Sequence, residues 1–451
     1  MKIVIVGGGK VGEALCRDLS SEGNDIVLIE QNQKTLEKIM EISDITGIVG
    51  NGANVSIQEE AGIDTAKIFL AVTESDELNI IACIIARRLG AKHTIARVRN
   101  PEYPQNVEFV KDNLGISLMI NPEQESAYDI MNTLKYPCAF NVENFLSKKV
   151  NMVELMVEEN SPLENLRLKD YNLTKEKILI CAVQREGEVT IPMGDFVLKR
   201  GDRFFVTGTH KALKEFISKC NYKNGLIKSV LIVGGSRIAF YLTKLLLEKK
   251  LDVKLFENDN EIAELFAETY PEITVINGDG TDQELLLEEG IGNYDAVVSL
   301  TGIDEENIII SMFSISQKVP KNITKINRNI MKPIVDKLEL DTIITPKKII
   351  ADKIIRFVRS QINSSGSKLE NFHRILDNEV EVIHFSITKN SRALDIPLID
   401  LQTIPNLLIA CIKRNGELIY PGGNDVIKKG DEVLVVTKTK YLDEFDDIIV
   451  K

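Results

Sequence analysis

A strand, a glycine turn and a helix follow one another without interruption at the start of this chain, and that succession limits its possible folds more than any other feature. Lys2-Ile-Val-Ile-Val6 is a short, apolar, β-branched run that leads straight into Gly7-Gly-Gly-Lys-Val-Gly12, and helix-forming residues continue to about Ser21. Asn24-Asp-Ile-Val-Leu-Ile29 is a second buried-strand pattern, ending in Glu30, eighteen residues beyond Gly12. Order and spacing match a dinucleotide-binding fingerprint in the context it requires. Gly7 lets the chain leave the strand in a tight turn, Gly9 has no Cβ to hold the backbone away from a pyrophosphate, and Gly12 lets the helix pack close to the strand. Gly8, Lys10 and Val11 complete the turn, so phosphates would rest on the free N–H groups of the helix start. Glu30 can accept hydrogen bonds from a ribose diol and would repel a 2′-phosphate, which favours NAD or a plain adenosine nucleotide over NADP.

The same signals return roughly 228 residues later. Val6-Gly-Gly-Gly-Lys10 is answered by Val233-Gly-Gly-Ser-Arg237, Glu30 by Glu257, Gly50-Asn-Gly-Ala-Asn54 by Gly278-Asp-Gly-Thr-Asp282, and Thr73 by Thr301. Gly187, Pro192 and Gly201-Asp202 are answered by Gly416, Pro421 and Gly430-Asp431. The register holds over nearly the whole length, so the chain is a tandem duplication.

Within each half the texture changes partway. Up to about Leu134, strand-like runs (Thr46 to Val49, Ile68 to Val72, Thr94 to Val98, Ser117 to Ile120) alternate with helical stretches, as in a doubly wound parallel sheet. From Val150 the pattern is β-rich, with strands expected at Met152 to Val157, Ile178 to Val183, Val189 to Ile191 and Phe204 to Thr207, then a helix from about Ala212 to Lys219. In the second half an amphipathic helix with Ile349, Ile350, Ile354, Ile355 and Val358 on one face precedes Asn363-Ser-Ser-Gly-Ser-Lys368, the clearest linker in the chain. The expected fold is α/β: two tandem doubly wound, Rossmann-like domains (1–135 and 226–362), each followed by a small α+β lobe (136–225 and 363–451).

Composition narrows the function. A net charge of -12 argues against nucleic acid or anionic lipid as the main partner. The six cysteines are scattered through apolar runs without metal-ligand spacing, as expected of core residues in a reducing compartment. No signal peptide is expected ahead of the first strand. The longest apolar stretches, such as Leu78 to Ala86, are about half of what a bilayer span needs, so a cytoplasmic protein without bilayer insertion is expected. That stretch must be buried, against its own sheet or partly against another subunit.

Other candidate site residues fall at strand ends on the carboxyl edge of the sheet. Asn51 and Gly52 could approach an adenosine, and the backbone after Thr73 and Glu74 could line the same cleft. Thr73-x-x-Asp76 also reads as a capping box for the apolar helix. Arg97, with Lys325 as its counterpart, reads either as a fixed cation facing the phosphate end of a nucleotide or as a solvated surface arginine. The second cleft would use Gly234, Gly235, Ser236, Arg237, Ile238, Glu257, Asp279, Thr301 and Gly302. Its Ser236 replaces the middle glycine and crowds the closest pyrophosphate approach, so the first cleft should bind more tightly. The four histidines, His93, His210, His373 and His384, share no motif, and no serine elbow, Walker loop or metal pair occurs. An NAD-dependent oxidoreductase with duplicated domains would need an acid or base poised over the nicotinamide, and none is evident.

Val6-Gly-Gly-Gly-Lys-Val-Gly12, Gly50-Asn-Gly-Ala-Asn54, Ala71-Val-Thr-Glu-Ser-Asp-Glu-Leu-Asn79 and Ala96-Arg97, with the duplicated lobes, closely resemble the TrkA family. Members are peripheral nucleotide-binding subunits of Trk potassium-uptake systems, built from two tandem RCK/KTN (regulator of potassium conductance) modules. The resemblance covers essentially the full chain. It implies a non-catalytic regulator at the inner face of the membrane, assembled as a homo-oligomeric ring, with a tetramer expected, under a TrkH- or TrkG-like transporter. NAD(H), or ATP and ADP, would occupy the clefts formed by the residues named above.

Overall fold

A computed structural model describes the chain except for residues 101–113, 147–148, 172–176, 223–224, 329–330, 332–334, 336–337, 339, 362–366, 377, 389–390 and 451. Two compact units are formed. One comprises Met1–Ala127 with Thr345–Val358, the other Tyr128–Ile344 with Arg359–Lys451.

In the first unit, strands β1 (Lys2–Val6), β2 (Asp25–Glu30), β3 (Thr46–Val49), β4 (Ile68–Ala71), β5 (His93–Arg97) and β6 (Leu118–Ile120) form a parallel sheet in the order β3-β2-β1-β4-β5-β6. This is the doubly wound order, with the switch point between β1 and β4. The central strands are buried on both faces, which is why they read as continuous apolar runs. The apolar helix Asp76–Leu89 turns Ala82, Cys83 and Ala86 toward the sheet and leaves Ile81 half exposed.

The second unit contains three sheets. Strands β12 (Ser229–Val233), β13 (Asp252–Glu257), β14 (Thr274–Asn277), β15 (Ala296–Ser299), β16 (Lys321–Lys325) and β17 (Thr342–Ile344) repeat the first sheet in the order β14-β13-β12-β15-β16-β17. The two lobes are antiparallel sheets. The first joins β7 (Asn141–Phe145), β8 (Val150–Met156), β9 (Ile178–Arg185), β10 (Glu188–Thr190) and β11 (Arg203–Gly208) in the order β10-β9-β11-β8-β7. The second joins β18 (Ser367–Ile375), β19 (Val380–Ile387), β20 (Leu407–Arg414), β21 (Glu417–Ile419) and β22 (Glu432–Thr437) in the order β18-β19-β22-β20-β21.

Two sequence expectations change here. Ser367 and Lys368, expected in the linker, open β18 instead; Ser367 is fully buried and its hydroxyl accepts from the Phe445 N–H at 2.6 Å. The remaining linker residues, 363–366, lie outside the described residues. Strands β7 and β18 were not expected, because Asn141-Val-Glu-Asn-Phe145 has too few apolar residues to read as a strand, although it pairs along its whole length with β8.

The lobe strands carry apolar residues on both faces, and each face has its own core. Val153, Leu155, Phe204 and Val206 pack against Leu213, Phe216 and Ile217 of the helix His210–Lys219. Alternate residues, Met152, Cys181 and Phe205, join Val382, Cys411, Leu434 and Val436 of the second lobe in one shared core. The two lobes of a chain are thus joined by a continuous apolar layer. Such a layer resembles an obligate interface.

Lys321 lies fully buried in β16 and donates to the Ala139 carbonyl at 2.5 Å, tying the second parallel sheet to the first lobe. Burial lowers its pKa to about 8, against the opposing pull of Asp341. Between pH 8 and the unfolded lysine value the unfolded chain holds the extra proton, so this group makes stability rise with pH across that window. The expected gain is on the order of 3 kcal/mol. Denaturant melts at stepped pH should show the rise, and Lys321→Met should flatten it; an unchanged profile in that variant removes Lys321 as the cause.

Candidate functional site

Each parallel sheet ends in a cleft at the carboxyl edge of its central strands. In the first, Gly7 has φ +101° and its N–H donates to the Ile29 carbonyl at 2.9 Å. The left-handed backbone accounts for glycine at this point. A Cβ on Gly12 would lie 1.9 Å from the Gly7 carbonyl oxygen, whereas one on Gly9 would meet nothing within 4 Å. Gly9 therefore borders open space at the start of the helix Lys10–Ser21, and no side chain caps that helix. Its first N–H groups are left for a ligand. Lys10 is exposed; the Val11 side chain is buried, so a backbone N–H is what Val11 offers.

Glu30 is already engaged. Its Oε2 accepts from the Gly8 N–H at 2.5 Å and its Oε1 from the Asn32 N–H at 2.8 Å, so the acid props the glycine turn. Carboxylate oxygens retain further lone pairs for a diol. Gly52 rests against Val6, where a Cβ would come within 2.1 Å of Cγ1, and the Asn51 side chain accepts from the Ala53 N–H at 2.9 Å.

Asn79, which the sequence reading did not select as a site residue, organises the far side. It is fully buried; its Oδ1 accepts from the Thr73 N–H at 2.9 Å and hydroxyl at 2.7 Å, and its Nδ2 donates to the carbonyls of Thr73 and Arg97 at 3.1 and 2.9 Å. Thr73 therefore does not cap the helix Asp76–Leu89. Ser75 does, accepting from the Leu78 N–H at 3.1 Å, while Asp76 accepts from the Arg99 and Asn100 N–H groups at 2.8 and 2.7 Å. Glu74 is exposed, with its carbonyl bonded to Arg99. Arg97 is mostly buried and donates weakly to the Thr73 carbonyl at 3.5 Å; its Nε has no hydrogen-bond partner among the described residues. Burial, and then Arg99, lower its pKa. A buried guanidinium with an unmet donor suits an anion.

The second cleft repeats this frame with changed details. Gly234 has φ +99°, Glu257 accepts from Gly235 at 2.5 Å and from Asp259 at 2.8 Å, and Gly280 rests against Val233 as Gly52 does against Val6. Asn307 bonds Thr301 and the Lys325 carbonyl as Asn79 bonds Thr73 and Arg97. The spacing of the repeat, extended from Thr73 and Gly52, would have identified Asn79, Asn307 and Gly280 from the sequence. A cavity of about 230 Å³ takes in Gly234, Glu257, Asp279, Thr301 and Gly302. Asp279 accepts from the Thr281 N–H and hydroxyl at 2.8 Å each, and these bonds hold its pKa below the usual value. Ser236 is the main departure: its hydroxyl caps the helix Arg237–Glu248 by accepting from the Ala239 N–H at 3.4 Å. That donor is already used, whereas its counterpart in the first cleft is not. Ile238 is buried, and Lys325 donates to the Leu300 carbonyl at 3.1 Å.

The histidines sit elsewhere. His93 begins β5, at the opposite end from Arg97, and packs on Phe357. His210, His373 and His384 pair with Tyr136, Glu143 and Glu432. All six cysteines are free thiols, and no metal-binding cluster of His, Cys, Asp or Glu occurs among the described residues. Among those residues, no helix is long and apolar enough to cross a membrane.

Fold and clefts together define a duplicated Rossmann-type protein in which each nucleotide fold is followed by a small β-rich lobe. The TrkA-N domain model matches residues 3–122 and 230–346, and the TrkA-C domain model matches 152–221 and 382–450. The chain belongs to the TrkA family. A Trk system potassium uptake protein TrkA homolog from Archaeoglobus fulgidus is 30% identical over 448 residues, covering 99% of this chain and 100% of that protein. The Trk system potassium uptake protein TrkA of Haemophilus influenzae is 28% identical over 445 residues, covering 98% and 96%. Among solved structures, the GsuK channel bound to NAD aligns with 97% of this chain and 76% of its own, at a TM-score of 0.63 and 15% identity, an agreement of fold.

Proposed function

We propose that this chain is a non-catalytic, nucleotide-sensing regulatory subunit of a potassium-uptake system. It would act at the cytoplasmic face of the membrane as a homo-oligomeric ring, a tetramer, on a TrkH- or TrkG-like transporter. Its relatives' names and the RCK-type fold support the potassium-transport reading. The observation that carries the sensing role is the first glycine turn, where the helix start beside Gly9 is uncapped and borders open space, on the same sheet edge that carries Arg97 at the end of β5. We assign adenine nucleotides to both clefts. NAD(H), ATP and ADP share the ribose that Glu30 or Glu257 would read, and they differ in what they present to Lys10 and Arg97. The domains follow the division 1–135, 136–225, 226–362 and 363–451.

Assembly would use the parallel-sheet helices. Ile81 and its counterpart Ile309 are each 50% exposed, and Met312 and Ile315 extend the apolar face of the second helix, Asp304–Ser316. An apolar face of this kind marks an interaction surface. A nucleotide shifts the gate only by its difference in affinity between ring states. Potassium flux through the reconstituted transporter complex, with ATP, ADP, NAD and NADH in turn, tests the proposal. The expected result is opposite effects of ligands with different distal groups. Flux indifferent to all four, although they bind, sinks it.

A further inference from the structure

Away from both clefts, a cavity of about 300 Å³ opens within the second unit. It lies among the end of the helix Pro122–Thr133, the start of the helix His210–Lys219, the segment 225–227 that leads into β12, and the turn after the helix Arg237–Glu248. Leu134, Ile227 and Leu251 contribute apolar wall, Lys135, Lys214 and Lys249 bring the charge, and the His210 ring lies beside them. No carboxylate lines it among the described residues, in a chain whose net charge is -12.

Its polar lining is arranged with some definition. The nearly fully buried Tyr136 places its hydroxyl 2.7 Å from the His210 Nδ1, and the two rings meet edge to face at 5.3 Å. With Nδ1 engaged, Nε2 is the ring nitrogen left for a ligand. Desolvation, and then Lys214 and Lys135, hold the His210 pKa below its usual value. Lys214 and Lys249 have no ion-pair partner among the described residues. Lys214 and Lys249, without an ion-pair partner among the described residues and backed by apolar wall, are complementary to a ligand that carries an anionic head on an aliphatic body.

We propose that this cavity binds a small amphipathic anion, with its head on Lys214, Lys249 and His210 and its body against Leu134, Ile227 and Leu251. The place has regulatory meaning. The ligand would bridge the first lobe and the segment that enters the second nucleotide fold, so its binding would be felt where these parts join.

Octanoate is a suitable probe, titrated into the full-length chain by calorimetry beside 1-octanol and acetate. Octanoate is expected to bind saturably, once per chain, at least tenfold more tightly than either the alcohol, which lacks the charge, or acetate, which lacks the body. The double variant Lys214→Glu, Lys249→Glu is expected to weaken octanoate at least tenfold while circular dichroism shows the native fold retained. Absence of saturable octanoate binding overturns the proposal. Equal binding of octanol, or undiminished octanoate binding in the folded double variant, overturns it too, because either would mean apolar adsorption without the cation cluster.

Discussion

Replacing Gly9 with glutamate is expected to eliminate nucleotide binding at the first cleft while leaving the fold intact. The backbone at Gly9 has φ -65°, which any residue adopts, and a Cβ there meets nothing within 4 Å, so the side chain enters the cleft without strain. There its carboxylate would occupy the helix start in place of a phosphate and repel one. With NAD at about a hundred times its Kd, the unaltered cleft gains about 2.7 kcal/mol of stability, and the variant should gain none of it. The reverse change belongs to the second cleft: Ser236→Gly frees the Ala239 N–H from its serine cap. One charge-assisted hydrogen bond of about 1.5 kcal/mol corresponds to roughly tenfold tighter binding there. Titration with a fluorescent adenine nucleotide reads both. Retention of the tighter binding event in the Gly9→Glu protein would place the principal site elsewhere.

A comparably large effect is expected on stability at Arg359. Its guanidinium Nη1 lies 3.2 Å from both Glu381 oxygens, both side chains are almost completely buried, and Phe372 covers the cation at 4.3 Å. Arg374 adds a second cation 3.6 Å from the same carboxylate, and the Tyr441 N–H donates to it at 3.3 Å. Removing Arg359 alone, as in Arg359→Met, leaves the buried Glu381 short of its main counter-charge, at an expected cost of about 3–5 kcal/mol. Replacing both residues, Arg359→Met with Glu381→Leu, should recover part of that loss, since an apolar pair avoids desolvating two charges while Arg374 and the Tyr441 N–H lose the carboxylate they share. Chemical denaturation of the single and double variants decides it. A double variant no more stable than the single one would show that the pair is not the unit.

The particular residues show why some features could be read in advance and others could not. Gly7 and Gly234 were legible because a turn that needs positive φ beside a buried strand leaves a local mark. Glu30 and Glu257 were legible by spacing, although their bonds to Gly8 and Gly235 were not. Thr73 misled as a cap because the hydrogen bond it makes goes to Asn79, a residue the helix itself carries inward. Ser367 misled because a run of serine and glycine signals a linker by composition, while its actual partner, Phe445, is far away in sequence.

The sequence by itself determined the two parallel sheets, their duplication and the position of both glycine turns. Those features are written in short-range patterns: β-branched runs, glycines where the backbone demands them, and a repeat whose register barely drifts. Only the tertiary structure decided that the lobes share one apolar layer, that Arg359 meets Glu381, and that Ser236 uses a donor which the first cleft leaves open. A strand buried on both faces carries no alternation to say what lies on either side. A buried polar pair is specified by two residues distant in the chain, and whether a serine caps its own helix depends on a side-chain geometry that its place in the sequence does not fix.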